Sequence, residues 1–329
     1  MENAENAEMI RVENLTKFFG DFAAVKEVTF EVDRGEIFGV LGPNGAGKTT
    51  LIKMLSTLLK PTSGRATVAG YDVVKEPQNV RKNIGIVFQE PTLDVELTAR
   101  ENLDFHGRIY GMDKKKREKR IAEVLELVGL SDKADVLVKK FSGGMQRRLE
   151  IARGFMHFPE VLFLDEPTLG LDVQTRRKIW EYIEMLRRDE DVTIILTTHY
   201  IEEAENLCDR VAIIDFGKII ALDTVERLRE GIGKDSIEII VEGNEFENLL
   251  KSQGLKVVKT TDGLMISASD GEKLIPRLFS LAQNYGVDIQ SVSLKKSSLE
   301  DVFVLLTGRK IREESQGTHP MMRARRLRR

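Results

Sequence analysis

Short apolar runs alternate with segments of helical periodicity along the first two thirds of the chain. The run Ile37–Leu41 precedes a glycine-rich stretch, after which leucines recur at helical spacing. Two later runs, Val161–Leu164 and Thr193–Leu196, are almost wholly apolar, which is typical of strands buried on both faces of a parallel sheet. The alternation therefore predicts an α/β domain over residues 1–222.

The pattern changes after Leu222. Residues 223–235 are charged and contain two glycines, and they are interpreted as a linker. The order that follows is strand, helix, strand, strand, helix, strand, with a hairpin turn at Asp262-Gly263 between the two middle strands. This order predicts a small α+β domain of ferredoxin-like fold over residues 236–310. A further helix is expected at Leu299–Thr307.

The overall charge of the chain is close to neutral. Lys and Arg total 50 against 53 Asp and Glu, a formal net charge of −3. No global positive field therefore favours nucleic acid, and none is expected as a partner. A single cysteine, Cys208, excludes an internal disulfide framework and a four-cysteine zinc site.

The two ends of the chain differ in charge. The acidic and polar Met1–Ile10 lacks the basic start and apolar run of a secretory signal. No segment approaches the roughly 18 uncharged apolar residues of a spanning helix, so a membrane role would require another chain. Residues 311–329 end with five arginines in seven positions and are interpreted as a disordered tail. Binding of this tail to acidic lipid headgroups or RNA is the alternative.

A glycine-rich loop between a predicted strand and a predicted helix matches the P-loop pattern in full. Its glycines allow backbone N–H groups to cradle phosphate oxygens, and the start of the helix adds its positive dipole end. Lys48 is expected to reach the β- and γ-phosphates of ATP, and the Thr49 hydroxyl to bind Mg²⁺. The residues of the loop that we expect to contact nucleotide are Gly42, Pro43, Asn44, Gly45, Ala46, Gly47, Lys48, Thr49 and Thr50.

Two adjacent acids follow a buried strand in the segment Val161–Pro167. Adjacent carboxylates are costly to bury unless a cation compensates them. The arrangement predicts that Asp165 holds Mg²⁺ and that Glu166 acts as general base toward a water molecule.

The segment Phe141-Ser142-Gly143-Gly144-Met145-Gln146 narrows the class of P-loop protein. It resembles the LSGGQ signature of the ATP-binding-cassette (ABC) ATPases, with departures at Phe141 and Met145. Ser142 and the amides of Gly143 and Gly144 would form a second phosphate-binding helix start. The segment lies 23 residues before Asp165, which strengthens the resemblance.

Further positions resemble motifs of the same family in sequence order. The resemblance implies that Gln89, in the Q-loop, contacts Mg²⁺ or the attacking water, and that His199, in the H-loop, contacts the γ-phosphate. It also implies that Asp172, in the D-loop, acts across a dimer, although Leu169 departs from the usual first residue of that loop. Phe19 occupies the place of the ring that stacks on adenine, with Phe18, or a core role, as the alternative.

The resemblance implies a RecA-like core with an antiparallel β subdomain and a helical subdomain at about residues 97–140, together with the start of the helix that follows Ser142. It implies ATP sandwiched between this chain and a second copy or a homologous ATPase. The membrane partner would be a separate transmembrane permease, with this chain peripheral on its cytoplasmic face. The segment Ser298–Gly308 resembles the end of drug-efflux ATPases of the daunorubicin-resistance type.

The function predicted from these motifs is that of an ATP-hydrolysing subunit powering an ABC exporter. One alternative is an ABC-type ATPase of DNA repair, but such proteins carry coiled coils or zinc modules, whereas here only 92 residues separate Thr50 from Ser142. The other alternative is a nucleotide-dependent switch without hydrolysis, which would lack a base such as Glu166. The cargo stays open.

Overall fold

A computed structural model describes residues 8–241, 245–260 and 263–308. Within these residues no helix combines the length and the apolar character needed to cross a bilayer. Asp262, one half of the predicted hairpin turn, and the basic tail at 311–329 lie outside the described residues.

Within the described residues the strands form three sheets. The first is antiparallel, in the order β2-β1-β4-β5, and the second has the order β10-β9-β3-β8-β7-β6. The third has the order β12-β13-β11-β14. In chain order the strands are β1 (Glu8–Phe19), β2 (Phe22–Asp33), β3 (Ile37–Leu41), β4 (Ser63–Val68), β5 (Tyr71–Asp72), β6 (Ile84–Val87), β7 (Val161–Asp165), β8 (Thr193–Thr198), β9 (Arg210–Asp215), β10 (Lys218–Thr224), β11 (Asp235–Val241), β12 (Lys256–Lys259), β13 (Leu264–Ala268) and β14 (Ile289–Lys296).

The helices cover the sheets and complete the helical subdomain. In chain order they are α1 (Lys48–Leu55), α2 (Pro77–Asn83), α3 (Ala99–Ile109), α4 (Lys114–Leu127), α5 (Gly143–Gly154), α6 (Val173–Glu190), α7 (Ile201–Leu207), α8 (Val225–Ile232), α9 (Glu245–Ser252), α10 (Gly271–Asn284) and α11 (Leu299–Thr307). Helices α3 and α4, with two 3₁₀ turns, occupy the region predicted to form the helical subdomain.

The second sheet brings the predicted chemistry to one edge. Strands β3, β8, β7 and β6 pair in parallel, and every residue of β3, β7 and β8 is buried. The apolar runs of the sequence are therefore strands covered on both faces, as predicted. Their carboxyl ends lie side by side, which brings the P-loop after β3, Asp165 at the end of β7 and His199 after β8 to one edge of the sheet.

The third sheet has the ferredoxin-like strand order predicted from the sequence. All its pairs are antiparallel, and β11 lies between β13 and β14. Apolar residues of α9 and α10 pack against one face of this sheet. The fold class predicted from the sequence, an α/β P-loop domain followed by a small α+β domain, is confirmed.

The interpretation of residues 223–235 as a linker needs correction, because most of the segment is helix α8. The hydroxyl of Thr224 accepts a hydrogen bond from Arg227 N and caps the helix. Val225, Leu228 and Ile232 are buried at helical spacing and join the apolar cluster of the first domain. Charged residues lie between these positions, so the apolar stripe was not recognised in the sequence.

Candidate functional site

The P-loop connects β3 to the first turn of α1, which begins at Lys48. Gly47 has a φ of 108°, and a Cβ atom there would lie 2.4 Å from the carbonyl oxygen of Ala24. Only glycine satisfies both the left-handed backbone and this close approach. The loop is held from the far side, since Gly217 N donates to the Ala46 carbonyl.

The Lys48 side chain is buried beneath the loop. Its Nζ donates to the carbonyl oxygens of Gly42, at 2.7 Å, and Pro43, at 3.1 Å. The third neighbour is Glu166, whose Oε1 lies 3.0 Å from Nζ. An ammonium group has three protons, so each has an acceptor. A phosphate placed in the loop would compete for the same donor.

Asp165 and Thr49 supply a pair of oxygens at the sheet edge. Thr49 Oγ1 donates to Asp165 Oδ1 at 3.2 Å, and Thr197 Oγ1 donates to the same oxygen at 2.6 Å. The Asp165 side chain is buried. Hydroxyl and carboxylate oxygens are the donors that Mg²⁺ prefers, so the residues fit the predicted ion.

Glu166 lies between two other site residues. Its Oε2 is 2.5 Å from His199 Nδ1, and its Oε1 faces Lys48. Burial opposes ionisation of Glu166, but the hydrogen bond with His199 and the charge of Lys48 hold the pKa of its carboxyl below the ordinary value. The group is therefore a carboxylate that can accept a proton.

The structure places the other predicted residues apart from this cluster. Ser142 Oγ caps α5 by accepting from Met145 N, and Asp172 caps α6 by accepting from Thr175 N. Gln89 is exposed in the loop after β6. Phe19 and Phe18 are 50% and 45% exposed, so neither belongs to the core and that alternative is wrong.

Two residues of the site region were missed from the sequence. Thr197 stands in the segment with His199 and binds Asp165 through its hydroxyl. Arg147 lies on α5 and donates to main-chain carbonyls of the turn after β7. Thr197 could have been predicted, because it lies one residue before the end of a buried strand whose neighbour ends in Asp165. Arg147 could not, because its acceptors in the turn are main-chain carbonyls, which every residue has.

Comparison with known proteins is consistent with this geometry. Residues 25–169 match the family described as ABC transporter, and residues 224–307 match the C-terminal domain of ATP-binding proteins that are DrrA1-3-like. The linearmycin resistance ATP-binding protein of Bacillus subtilis is 42% identical over 312 residues, which are 93% of this chain and all of the relative.

Other relatives and one solved structure agree. A daunorubicin resistance ATP-binding protein of Streptomyces coeruleorubidus is 39% identical, over 92% of this chain and 98% of the relative. The Nod factor export ATP-binding protein I of Ralstonia nicotianae is 38% identical, over 93% and 95%. A dimeric ATP-binding cassette in a post-hydrolysis state, bound to ADP and Pi, aligns with a TM-score of 0.60 at 29% identity, covering 66% of this chain and 98% of that chain.

Proposed function

The chain belongs to the ABC transporter family as an ATP-binding and ATP-hydrolysing subunit, and from this premise we propose that it powers an exporter through a nucleotide sandwich between two such subunits. The observation that carries the proposal is the buried cluster of Lys48, Glu166 and His199 beside the P-loop. The names of the relatives, which include resistance and export proteins, support export as the direction.

The cluster supports a division of roles among its residues. When ATP enters the loop, Lys48 would donate a hydrogen bond to the γ-phosphate in place of its contact with Glu166. Glu166, released from that contact, would accept a proton from the attacking water. His199, within hydrogen-bond distance of Glu166, would fix the direction of the carboxylate and meet the γ-phosphate.

Magnesium would be held by Thr49 and Asp165. When bound, the ion would neutralise negative charge on the phosphates of ATP. The hydroxyl of Thr197, which donates to Asp165 at 2.6 Å, would keep this carboxylate in place. Gln89 lies in an exposed loop, from which we expect it to approach the ion or the water on dimer closure.

The second copy would complete the site. Ser142, Gly143 and Gly144 form the start of α5, and the Ser142 side chain is exposed there. A helix start with free N–H groups binds anions, so this surface suits the γ-phosphate held by a facing subunit. Asp172 caps the start of α6 next to it, and the exposed rings of Phe19 and Phe18 suit stacking on adenine.

A separate membrane permease is the expected partner, and an apolar surface supports this. Phe105 and Ile109 on α3 and Phe158 after α5 are each more than half exposed. The His157 ring stacks on Tyr110 with centroids 3.6 Å apart, which joins the two segments. Exposed apolar groups gathered in this way mark protein interfaces. Attached there, the chain would lie on the cytoplasmic face of the membrane.

The two alternative functions are less well supported. Between α1 and α5 the described chain contains short strands and helices and no long coiled coil of the DNA-repair type. A switch without hydrolysis would not need Glu166 oriented by Lys48 and His199.

Phosphate release by the purified chain tests the proposal. The wild type should hydrolyse Mg-ATP. Glu166→Gln should bind ATP with unchanged affinity and lose turnover by at least about a hundredfold, because an amide cannot accept the proton. Lys48→Ala should instead weaken ATP binding. Turnover of Glu166→Gln at the wild-type rate would show that another group is the base.

A further inference from the structure

A buried arginine joins three segments of the catalytic domain. The Arg147 side chain, on the second turn of α5, is only 8% exposed. Its partners are main-chain carbonyls and one acid: Nε donates to Pro167 O at 2.7 Å, Nη1 to Phe88 O at 2.5 Å and Glu150 Oε2 at 3.0 Å, and Nη2 to Asp165 O and Glu166 O, each at 3.0 Å. One guanidinium therefore holds the turn after β7, the end of β6 and its own helix.

Glu166 is the residue in this turn that most needs support. Its φ of 52° lies in the left-handed region, which a non-glycine residue adopts only when its surroundings impose it. Glu166 N donates to Thr197 O at 3.1 Å, and Glu166 O accepts from Arg147. The peptide groups on both sides of the strained residue are therefore fixed, which aims its carboxylate at Lys48 and His199.

The same guanidinium reaches the loop that contains Gln89. Phe88 O accepts from Arg147, and Thr92 N donates to Glu150 Oε1 at 2.8 Å. The buried pair of Arg147 and Glu150 thus holds both ends of residues 88–92. Arg147 is itself part of α5, the helix that Ser142 caps. One side chain therefore connects this helix, the loop of Gln89 and the turn that contains Glu166.

We propose that Arg147 is a positioning residue for Glu166: it holds the carbonyls of Asp165, Glu166 and Pro167 so that the base keeps the conformation hydrolysis requires. This inference rests on the proposed function of Glu166. The hydrogen bonds of Arg147 go to main-chain carbonyls and to Glu150, so it acts on Glu166 through the backbone of the turn.

Only an arginine side chain can make this set of hydrogen bonds. It presents five N–H donors in a fixed fork, whereas a lysine ammonium has three on a flexible stem. Lysine at this position would keep the charge opposite Glu150 and would not reach carbonyls on three sides. Arg147→Lys therefore removes the geometry while preserving the ion pair.

The test compares Arg147→Lys with Arg148→Lys. Arg148 is the next residue on α5 and donates to Val128 O, far in sequence from the turn. We expect Arg147→Lys to lower kcat by about tenfold or more, because the carboxylate of Glu166 would leave the position that proton transfer requires. The dissociation constant for ATP should change by less than about twofold in both variants. Arg148→Lys should keep the wild-type kcat.

Two further measurements separate positioning from a general loss of structure. Each kcat is divided by the concentration of ATP-binding sites titrated in the same sample, so unfolded chain does not lower it. In the Glu166→Gln background, single-turnover hydrolysis should be unaffected by Arg147→Lys, since the base through which it acts is gone.

The outcomes are distinct. A kcat for Arg147→Lys equal to that of Arg148→Lys, or a further tenfold loss in the Glu166→Gln background, would overturn the inference. A wild-type chain that binds ATP and does not hydrolyse it would contradict the proposed function instead.

Discussion

Two neighbouring histidines, one inside and one outside the helical subdomain, are held in their neutral form. His106 lies on α3 and His157 follows α5, with ring centroids 5.6 Å apart. Burial lowers the pKa of His106 to about 3, helped by the neighbouring His157 and Arg153. Burial also lowers the pKa of His157 to about 4, although the hydrogen bond to Ile84 O opposes the shift.

We expect this pair to make the fold sensitive to acid. In the unfolded chain a histidine takes up its proton near pH 6.5. The unfolded chain therefore binds more protons than the folded chain below that pH, and stability falls as the pH drops toward the folded pKa. Between about pH 7 and about pH 5, His157 alone should remove about 2 kcal/mol from the free energy of unfolding.

Urea unfolding at a series of pH values measures this slope. His157→Gln should flatten it, because glutamine does not titrate. Tyr110→Phe is the matched control, since it keeps the ring that stacks on His157 and should keep the wild-type slope. A slope in His157→Gln as steep as that of the wild type would contradict the assignment.

At the scale of single residues, the sequence predicted the groups whose type and spacing carry the chemistry. Asp165 ends one strand, and Lys48 and His199 lie in segments that follow two others. Neighbouring parallel strands end at one edge of the sheet, so the meeting of these residues could be foreseen. The left-handed φ of Glu166 could not be foreseen. It depends on hydrogen bonds to Arg147 and Thr197 that form only in the folded chain.

At the scale of elements, the starts of α5 and α6 pack so closely that glycine is required. A Cβ atom on Gly144 would lie 2.4 Å from Thr175 Cγ2. Thr175 is fixed by Asp172, whose carboxylate accepts from its hydroxyl at 2.7 Å. The predicted phosphate-binding start of α5 is thus positioned against the loop that contains Asp172.

Gly144→Ala should therefore push α5 away from α6 and lower the ATPase rate by about tenfold or more. Thr175→Ser removes the methyl group and keeps the hydroxyl that binds Asp172. We expect the double variant to recover most of the wild-type rate, and Thr175→Ser alone to stay close to it. Steady-state phosphate release decides this, and a double variant as slow as Gly144→Ala would show that the contact does not matter.

Strands and helices were predicted well where the spacing of apolar residues was regular, and poorly where charged residues interrupted it. The βαββαβ order of the C-terminal domain was predicted from its succession of strands and helices, with a turn signal at Asp262-Gly263 between the middle strands. Helix α8 was missed because its three buried residues are separated by Glu226, Arg227 and Arg229. Arg229 Nε donates to Ser297 O, a partner nearly seventy positions away that no local pattern could show.

At the scale of the whole molecule, the C-terminal domain is packed on the first domain. Leu299, Val302 and Phe303 of α11 share one apolar cluster with Val225 and Leu228 of α8 and with the core around β3 and β7. Leu299 N also donates to Glu205 Oε1 on α7, at 2.8 Å. The sheet of the C-terminal domain is thus connected to the first domain by buried contacts of α8 and α11.

Deleting residues 223–329 should leave ATP binding intact and lower the midpoint of thermal unfolding by several degrees, because the apolar surface under α8 and α11 becomes exposed. Deleting only residues 309–329 removes none of these contacts and serves as the control. Calorimetry with and without ATP makes the comparison. Equal midpoints for the two truncations would mean that the C-terminal domain does not stabilise the first.

Dimerisation driven by ATP tests most directly the claim that two copies complete each site. Sedimentation of Glu166→Gln should show a dimer with Mg-ATP and a monomer with ADP, because in the proposed sandwich only the γ-phosphate would connect Lys48 of one chain to Ser142 of the other. Ser142→Arg in the same background should stay monomeric with either nucleotide. A monomer with Mg-ATP well above saturation, or a dimer that forms equally with ADP, would contradict the nucleotide sandwich.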